Sequence, residues 1–223
     1  MDQTPVQAVL LDFDGTLADS EPLHYDCWAQ TLKPHGVRLS WPEYHRRMVG
    51  VPDGLCGRMM LEEAGITASD NLVALVLSEK KSLYRRRVCE EVTIPPGVLE
   101  FVAALSAKLP VGVVSSSLTP EVEPLLVQVG LRSRLALLVC GEHVSRLKPD
   151  PEPYLQALGI LNQNVNPNGT SIAASGCLVF EDSDSGVAAA KAAGMTVERV
   201  SSPDRLLEAL DAHLGGLVAL KRG

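Results

Sequence analysis

The sequence predicts an α/β protein: a doubly wound parallel sheet with a small all-α domain inserted after the first strand. Three observations carry this. Short β-branched runs stop at polar residues or glycine and are apolar throughout, which suits strands buried on both faces of a parallel sheet. Amphipathic helical segments lie between those runs. The alternation breaks once, over residues 17–93, where helix starts follow one another without a good strand.

Taken in order, the first strand falls in Val6–Leu11. Helix starts then appear at Ser20-Glu21-Pro22 and Ser40-Trp41-Pro42, each a capping serine with proline in the first turn. A third helix fits Gly54–Ala64 and stops at Gly65; a fourth begins near Ser69 and carries Leu72, Leu75, Val76 and Leu83. Trp28, Trp41, Met48 and Met59 are expected to fill the core of this insert. Past Pro96-Gly97, the residues Val98, Val102, Leu105 and Leu109 keep helical spacing, and the second strand is Val111–Val114. Thr119 is the expected N-cap of the next helix, with Pro120 its first residue, Val122, Leu125, Leu126 and Val129 its apolar face, and Gly130 its stop. Further strands are expected at Leu135–Cys140, Leu178–Phe180 and Thr196–Val200. Ser202-Pro203 opens the last helix, with Leu206, Leu207 and Leu210 on one face. Asn162–Gly176, rich in Asn, Ser and Gly, reads as a long surface loop. Its Asn168-Gly169-Thr170 sequon reads as chance, since no secretion signal is seen. The expected division is residues 1–16 with 94–223 as the α/β domain, and 17–93 as the helical one.

Composition narrows the function classes. With 46% apolar and 21% charged residues over 223 positions, the chain has an ordinary globular balance. A formal net charge of −7 argues against a nucleic-acid backbone as partner. The helical insert is near charge balance, with 10 basic and 11 acidic residues, so the acidity sits in the α/β part. No apolar run approaches the ~20 residues that span a bilayer, so no membrane partner is expected. The short run Ala8–Leu11 is no signal peptide, and a cytoplasmic protein is expected. Cys27, Cys56, Cys89, Cys140 and Cys177 are odd in number and widely spaced, which suits free thiols in a reducing compartment.

The chemistry gathers at strand ends, where open parallel sheets bind their ligands. The first strand ends in Asp12-Phe13-Asp14-Gly15-Thr16. Two carboxylates two residues apart can converge on one site, with Phe13 pointing the other way into the sheet. Alone, the pattern fits an Asx turn equally well. The fourth strand ends in Glu181-Asp182-Ser183-Asp184-Ser185-Gly186. Asp12, Asp14, Glu181 and Asp182 would bring up to four negative charges into one crevice, raising one another's pKa. A hard divalent cation relieves this, and carboxylate oxygens suit Mg²⁺. Asp182-Ser183 also reads as a helix N-cap, and both roles can hold. Ser115, Ser116 and Ser117 follow the second strand and suit an anion such as phosphate, though a serine-rich cap is the plainer reading alone. Lys148, between Leu147 and Pro149, sits in a stiff loop that would hold an ammonium in place; alone it reads as a solvated lysine.

These four segments follow four successive strands, and in that order the chain resembles the haloacid dehalogenase superfamily of phosphotransferases. Asp12-Phe13-Asp14-Gly15-Thr16 resembles the first motif, Ser115 the second, Lys148 the third and Glu181-Asp182 the fourth. The resemblance covers nearly the whole chain and is nearest to the β-phosphoglucomutase and phosphoglycolate phosphatase group. It implies that residues 17–93 form a cap that selects substrate and excludes water. It also implies Asp12 as nucleophile, giving an aspartyl-phosphate, and Asp14 as acid and then base. Ser115 and Lys148 would bind the transferring phosphoryl group, with Gly15, Thr16, Ser116, Ser117 and, from the cap, His24 at the substrate. Mg²⁺ would be held by Asp12, the backbone carbonyl of Asp14, and Asp182, with Glu181 direct or one shell out. Four carboxylates less a divalent ion and one lysine leave about −1, or about zero if Asp14 carries a proton. The partner implied is a small phosphorylated metabolite, and the resemblance to known members implies a monomer.

One departure from the mutase matters. There a cap loop supplies a lysine and an arginine flanking Gly-Val-Ser; here the stretch is Val49-Gly50-Val51-Pro52-Asp53. Neither basic residue is present, and Asp53 is expected to repel a second phosphate. With Thr16 completing the Asp-Gly-Thr form, this favours net hydrolysis of a phosphomonoester such as a sugar phosphate. A phosphosugar mutase is the nearest alternative, and a non-catalytic binding protein on the same fold a further one. A 2-haloacid dehalogenase fits less well, because its chemistry needs neither Asp14 nor an acidic pair for a metal. Arg85-Arg86-Arg87 reads as a solvated helix face.

Overall fold

The computed structural model describes residues 5–164 and 171–218. Asn168-Gly169-Thr170 lies outside them. The chain forms two compact units, Met1–Asp19 with Thr93–Gly223, and Ser20–Val92. In chain order the elements are β1 (Ala8–Leu11), α1 (Glu21–Leu32), α2 (Trp41–Arg47), α3 (Asp53–Glu63), α4 (Asp70–Glu91), α5 (Pro96–Leu105), β2 (Val111–Val114), α6 (Thr119–Gln128), β3 (Leu137–Val139), α7 (Glu152–Asn164), β4 (Cys177–Glu181), α8 (Asp184–Ala192), β5 (Thr196–Arg199) and α9 (Pro203–Leu214).

The first unit is a five-stranded parallel sheet in the order β3-β2-β1-β4-β5. β1 lies at the centre, with Leu10 opposite Gly112 on one side and Val179 on the other. Every residue of β1, β2 and β4 is buried, as their unbroken apolar runs require. A side chain at Gly112 would lie 2.6 Å from Leu137 and 3.1 Å from Leu10, so this glycine lets two leucines meet across the strand. Leu10, Val114, Val139 and Val179 pack with Tyr154, Ala157 and Leu161 of α7 and with Ala189 and Ala190 of α8. α5 packs with α9 through Gly97, where an added Cβ would meet Leu207 at 2.7 Å.

Three sequence expectations in this unit need correction. Thr196–Val200 was expected to be buried, but β5 is a half-exposed edge strand whose Glu198 and Arg199 face His213 and Asp184. An edge strand has one neighbour and tolerates charge. α6 begins at Thr119, so Leu118 holds the N-cap position, and the oxygen comes from Glu121, which accepts from the Leu118 amide at 2.9 Å. Asn162 is helical, not loop: its side chain both donates to the Ile172 carbonyl (3.0 Å) and accepts from the Ile172 amide (2.7 Å).

The second unit holds α1 to α4. α4 is capped by Ser69, whose Oγ accepts from Leu72 N at 3.3 Å. α4 packs along α1 and α3 around Trp28, Leu32, Tyr44, Met48, Met60, Leu61 and Val76, with Met59 half-buried against them. Gly57 admits the Trp28 ring, since a Cβ there would lie 3.2 Å from it. Trp41 departs from expectation: it is 37% exposed and lies at the edge of an aromatic group with Tyr25, Tyr44 and His45. No helix among the described residues is long and apolar enough to cross a membrane.

Candidate active site

In the first unit the chain runs outward from β1 through β2 to β3 and then returns to place β4 on the other side of β1, and acidic residues stand at the C-terminal ends of β1 and β4. Such a switch point opens a crevice in a parallel sheet. Asp12 leaves β1 with its amide donated to the Phe180 carbonyl at 3.0 Å. The chain then doubles back, with Leu17 N and Ala18 N both donating to the Phe13 carbonyl. Phe13 is fully buried. Gly15 sits at φ +77°, and an added Cβ would lie 2.5 Å from an Asp182 oxygen, so this position needs glycine on both counts. Thr16, also buried, donates its hydroxyl to Asp182 Oδ1 at 3.0 Å.

Lys148 is the hub. Its Nζ donates to Asp12 Oδ1 (2.7 Å), Glu181 Oε1 (2.6 Å) and the Val114 carbonyl (2.8 Å), which uses all three ammonium hydrogens. Tyr154, from α7, donates its hydroxyl to the same Glu181 oxygen at 3.0 Å, and its ring lies 5.1 Å from the ammonium. Glu181 Oε2 accepts from the amide and hydroxyl of Ser183, the N-cap of α8. A Cβ on Gly186 would lie 1.8 Å from Glu181 Oε1, so the first turn of α8 clasps this carboxylate. Both oxygens of Glu181 are thus engaged by the protein itself.

Asp14 points to a different set. Ser117 Oγ donates to Asp14 Oδ2 at 2.7 Å, and Ser115 Oγ lies 3.3 Å from the same oxygen. Ser115 is buried and accepts from the Ser117 amide at 2.9 Å, whereas Ser116 is exposed. His24 belongs to the helical unit, where it is buried against Tyr84. Sequence reasoning passed over Tyr154. Its signal was an aromatic residue one turn after the Lys148 loop, within Asp150-Pro151-Glu152-Pro153-Tyr154, which reads as ordinary helix core.

The electrostatics follow from burial. Desolvation, then the Glu181 charge, push the Asp12 carboxyl well above its usual range, against the pull of Lys148. Burial alone would lower Lys148, but Asp12 and Glu181 outweigh it and hold the ammonium charged. Burial also raises Tyr154, which stays a hydrogen-bond donor. One lysine against Asp12, Glu181 and Asp182 leaves negative charge uncompensated. One oxygen from each of these three lies within 4.8 Å of the others. Crowded hard oxygens with a charge deficit fit a divalent cation.

Comparison with known proteins finds relatives over most of the chain. A family model described as haloacid dehalogenase-like hydrolase matches residues 9–200. A phosphorylated carbohydrates phosphatase of Thermotoga maritima is 34% identical over 201 residues, covering 87% of this chain and 84% of that one. Fructose-1-phosphate phosphatase YqaB of Escherichia coli is 28% identical over 187 residues, covering 84% and 92%. The crystal structure of CbbY from Rhodobacter sphaeroides in complex with phosphate superposes with a TM-score of 0.73 at 25% identity, covering 87% of this chain and 85% of that one.

Proposed function

Since the chain belongs to the haloacid dehalogenase-like hydrolases and is a phosphatase of that family, we propose that it is a Mg²⁺-dependent hydrolase of small sugar monophosphates that works through an aspartyl-phosphate on Asp12. The observation that carries this is the Lys148 hub. One ammonium fixes Asp12 and Glu181 beside Asp182, while Asp14 is held on separate hydroxyls. The names of the relatives supply the substrate class, since two of them act on phosphorylated carbohydrates.

In this reading an Asp12 oxygen attacks phosphorus and the ester P–O bond breaks. Asp14 gives its proton to the leaving sugar oxygen. Ser117 donates to Asp14 Oδ2 at 2.7 Å and Ser115 Oγ lies 3.3 Å from the same oxygen, which fixes the carboxyl in one orientation. Asp14 then takes a proton from water, which attacks the same phosphorus. The acyl-phosphate bond breaks, releasing phosphate and restoring Asp12. Lys148 holds Asp12 in one orientation and offsets charge as the phosphoryl group arrives. Thr16 and Ser116 would offer their backbone amides to the phosphoryl oxygens; the Gly15 amide is donated to the Ala18 carbonyl, so Gly15 serves by shaping the turn, and Ser115 would turn its single hydroxyl hydrogen from Asp14 to the arriving phosphoryl group. Asp12, Asp182 and the Asp14 carbonyl would hold Mg²⁺, which when bound neutralises charge on the transferring group. Glu181 serves from behind, because Lys148, Tyr154 and Ser183 use both its oxygens. Residues 17–93 would act as the cap that chooses the substrate. Five free thiols suit a reducing, cytoplasmic setting.

The test is phosphate release from a panel of sugar monophosphates, with Mg²⁺ present or chelated. Turnover that needs the metal and is lost in Asp12→Asn supports the reading. Release that ignores both rejects it.

A further inference from the structure

The turn after β3 packs on the loop that carries Ser115, Ser116 and Ser117, and the chemistry above gives it no role. Gly141–His143 form a single 3-10 turn. His143 closes it twice: its amide donates to the Cys140 carbonyl at 2.9 Å, and its Nδ1 accepts from the Cys140 amide at 3.0 Å. Gly141 N donates to the Ser117 carbonyl at 2.9 Å. An added Cβ at Gly141 would lie 2.5 Å from the Ser116 carbonyl oxygen and 3.3 Å from Leu147, the neighbour of Lys148. Gly141 thus sits flush against the serine loop, and the atom in the way is backbone. Glu142 reaches across to α6, where its two oxygens accept from the Thr119 amide at 2.9 and 3.2 Å.

These contacts decide which donors the loop can offer. The Ser115 amide donates to the Val139 carbonyl, that of Ser117 to Ser115 Oγ, that of Leu118 to Glu121 Oε2 and that of Thr119 to Glu142. Pro120 has no amide hydrogen. Among the described residues, that leaves the Ser116 amide for an incoming oxygen. The start of α6, which the serine run suggested as an anion site, already holds the carboxylates of Glu121 and Glu142. The Ser116 carbonyl and the Ser117 amide belong to one planar peptide group. Moving that carbonyl off Gly141 turns the Ser117 N–H away from Ser115 Oγ. A serine hydroxyl has one hydrogen to give. While Ser115 Oγ accepts from Ser117, that hydrogen points elsewhere, toward Asp14 Oδ2 or an arriving phosphoryl oxygen.

We propose that Gly141 and Glu142 are positioning residues for phosphoryl binding. From the turn after β3 they hold the Ser116–Ser117 peptide and the first residue of α6, and so aim the Ser116 amide and the Ser115 hydroxyl at the incoming phosphoryl group. Neither residue touches the ligand itself. This rests on the phosphatase reading and extends its site to the end of β3. A side chain at position 141 therefore acts on phosphate affinity and not on the metal, whose acidic residues stand at the ends of β1 and β4.

The test is calorimetric binding of inorganic phosphate to the Mg²⁺-loaded chain, read beside the rise in Tm that Mg²⁺ alone produces. Gly141→Ala raises the Kd for phosphate at least about tenfold, the scale of one lost charge-assisted hydrogen bond, and leaves the Mg²⁺ rise in place. Gly159→Ala is the control, since a Cβ there meets nothing within 4 Å, and it changes neither readout. Glu142→Ala raises the Kd about fivefold, whereas Glu142→Gln keeps an acceptor for the Thr119 amide and stays within about twofold. Unchanged phosphate affinity in Gly141→Ala overturns the inference, as does a failure of the unmodified chain to bind phosphate. So does loss of the Mg²⁺ rise together with affinity, which marks a general disturbance of the fold. Equal loss in Glu142→Ala and Glu142→Gln also overturns it, by marking a charge effect. If Gly141→Ala does not fold, the two Glu142 variants decide. Phosphate release from a hexose 6-phosphate by the unmodified chain is scored separately. Its absence rejects the phosphatase reading, while the binding series still judges the loop.

Discussion

Lys148 shows what single residues contribute. It is buried with three acceptors, two of them carboxylates. Lys148→Met keeps the volume and strands Asp12 and Glu181 in the interior, at a cost of about 3–5 kcal/mol. The expected result is a large fall in Tm together with loss of phosphate release; wild-type stability would mean the carboxylates find other partners. Gly186→Ala acts from the other side. Its Cβ would overlap Glu181 Oε1, so Glu181 must leave Lys148 or α8 must move. We expect a fall in kcat larger than the fall in stability, read from kinetics beside thermal melts. Asp12, Ser115, Lys148 and Glu181 were legible in the sequence because each ends or follows a strand in a fixed chemical order. Lys80 was not. A lysine inside Glu79-Lys80-Lys81 on a charged helix looks solvated, and its partner Asp53 lies 27 positions away. Only packing decides which of two adjacent lysines turns inward.

Among elements, the helices of the second unit were legible from Ser-x-Pro and glycine signals, and their bounds differ from expectation by a residue or so. Caps are harder to read, because the oxygen need not come from the cap residue. α6 is the case in point: Glu121 reaches back to the Leu118 amide. Glu121→Ala removes that acceptor and should lower stability by about 1 kcal/mol, as other caps do, measurable by denaturant melts; no change would mean Thr119 takes over. The α3–α4 pairing has its own pH signature. Burial would raise the Asp53 pKa, but the Lys80 ammonium, which donates to both its oxygens, outweighs it and holds the carboxyl below its usual range. The folded form therefore binds fewer protons than the unfolded one. This contribution is complete above the unfolded value near ~4 and is lost as pH falls through the lower folded value. Asp53→Asn should flatten the acid limb of Tm against pH, and an unchanged limb would count against the pairing.

At the scale of the whole molecule, the sheet order places two acidic strand ends side by side; the alternation of strands and helices made the parallel sheet legible, but not which strands would be neighbours. The edge position of β5 was not legible, since an apolar start at Thr196-Val197 hides the charges that follow. The cluster of Asp12, Glu181 and Asp182 carries more negative charge than Lys148 offsets. Mg²⁺ should therefore raise Tm by mass action, and Asp182→Asn should remove most of that rise. A Tm indifferent to Mg²⁺ in the unmodified chain would place the metal elsewhere.

The central claim is that phosphorus passes through Asp12. The direct measurement is peptide mass spectrometry after acid quench of protein incubated with Mg²⁺ and a hexose monophosphate. The account predicts a phosphoryl group on Asp12, dependent on the metal and absent in Asp12→Asn. A phosphoryl group on another residue, or steady phosphate release by Asp12→Asn, would contradict it.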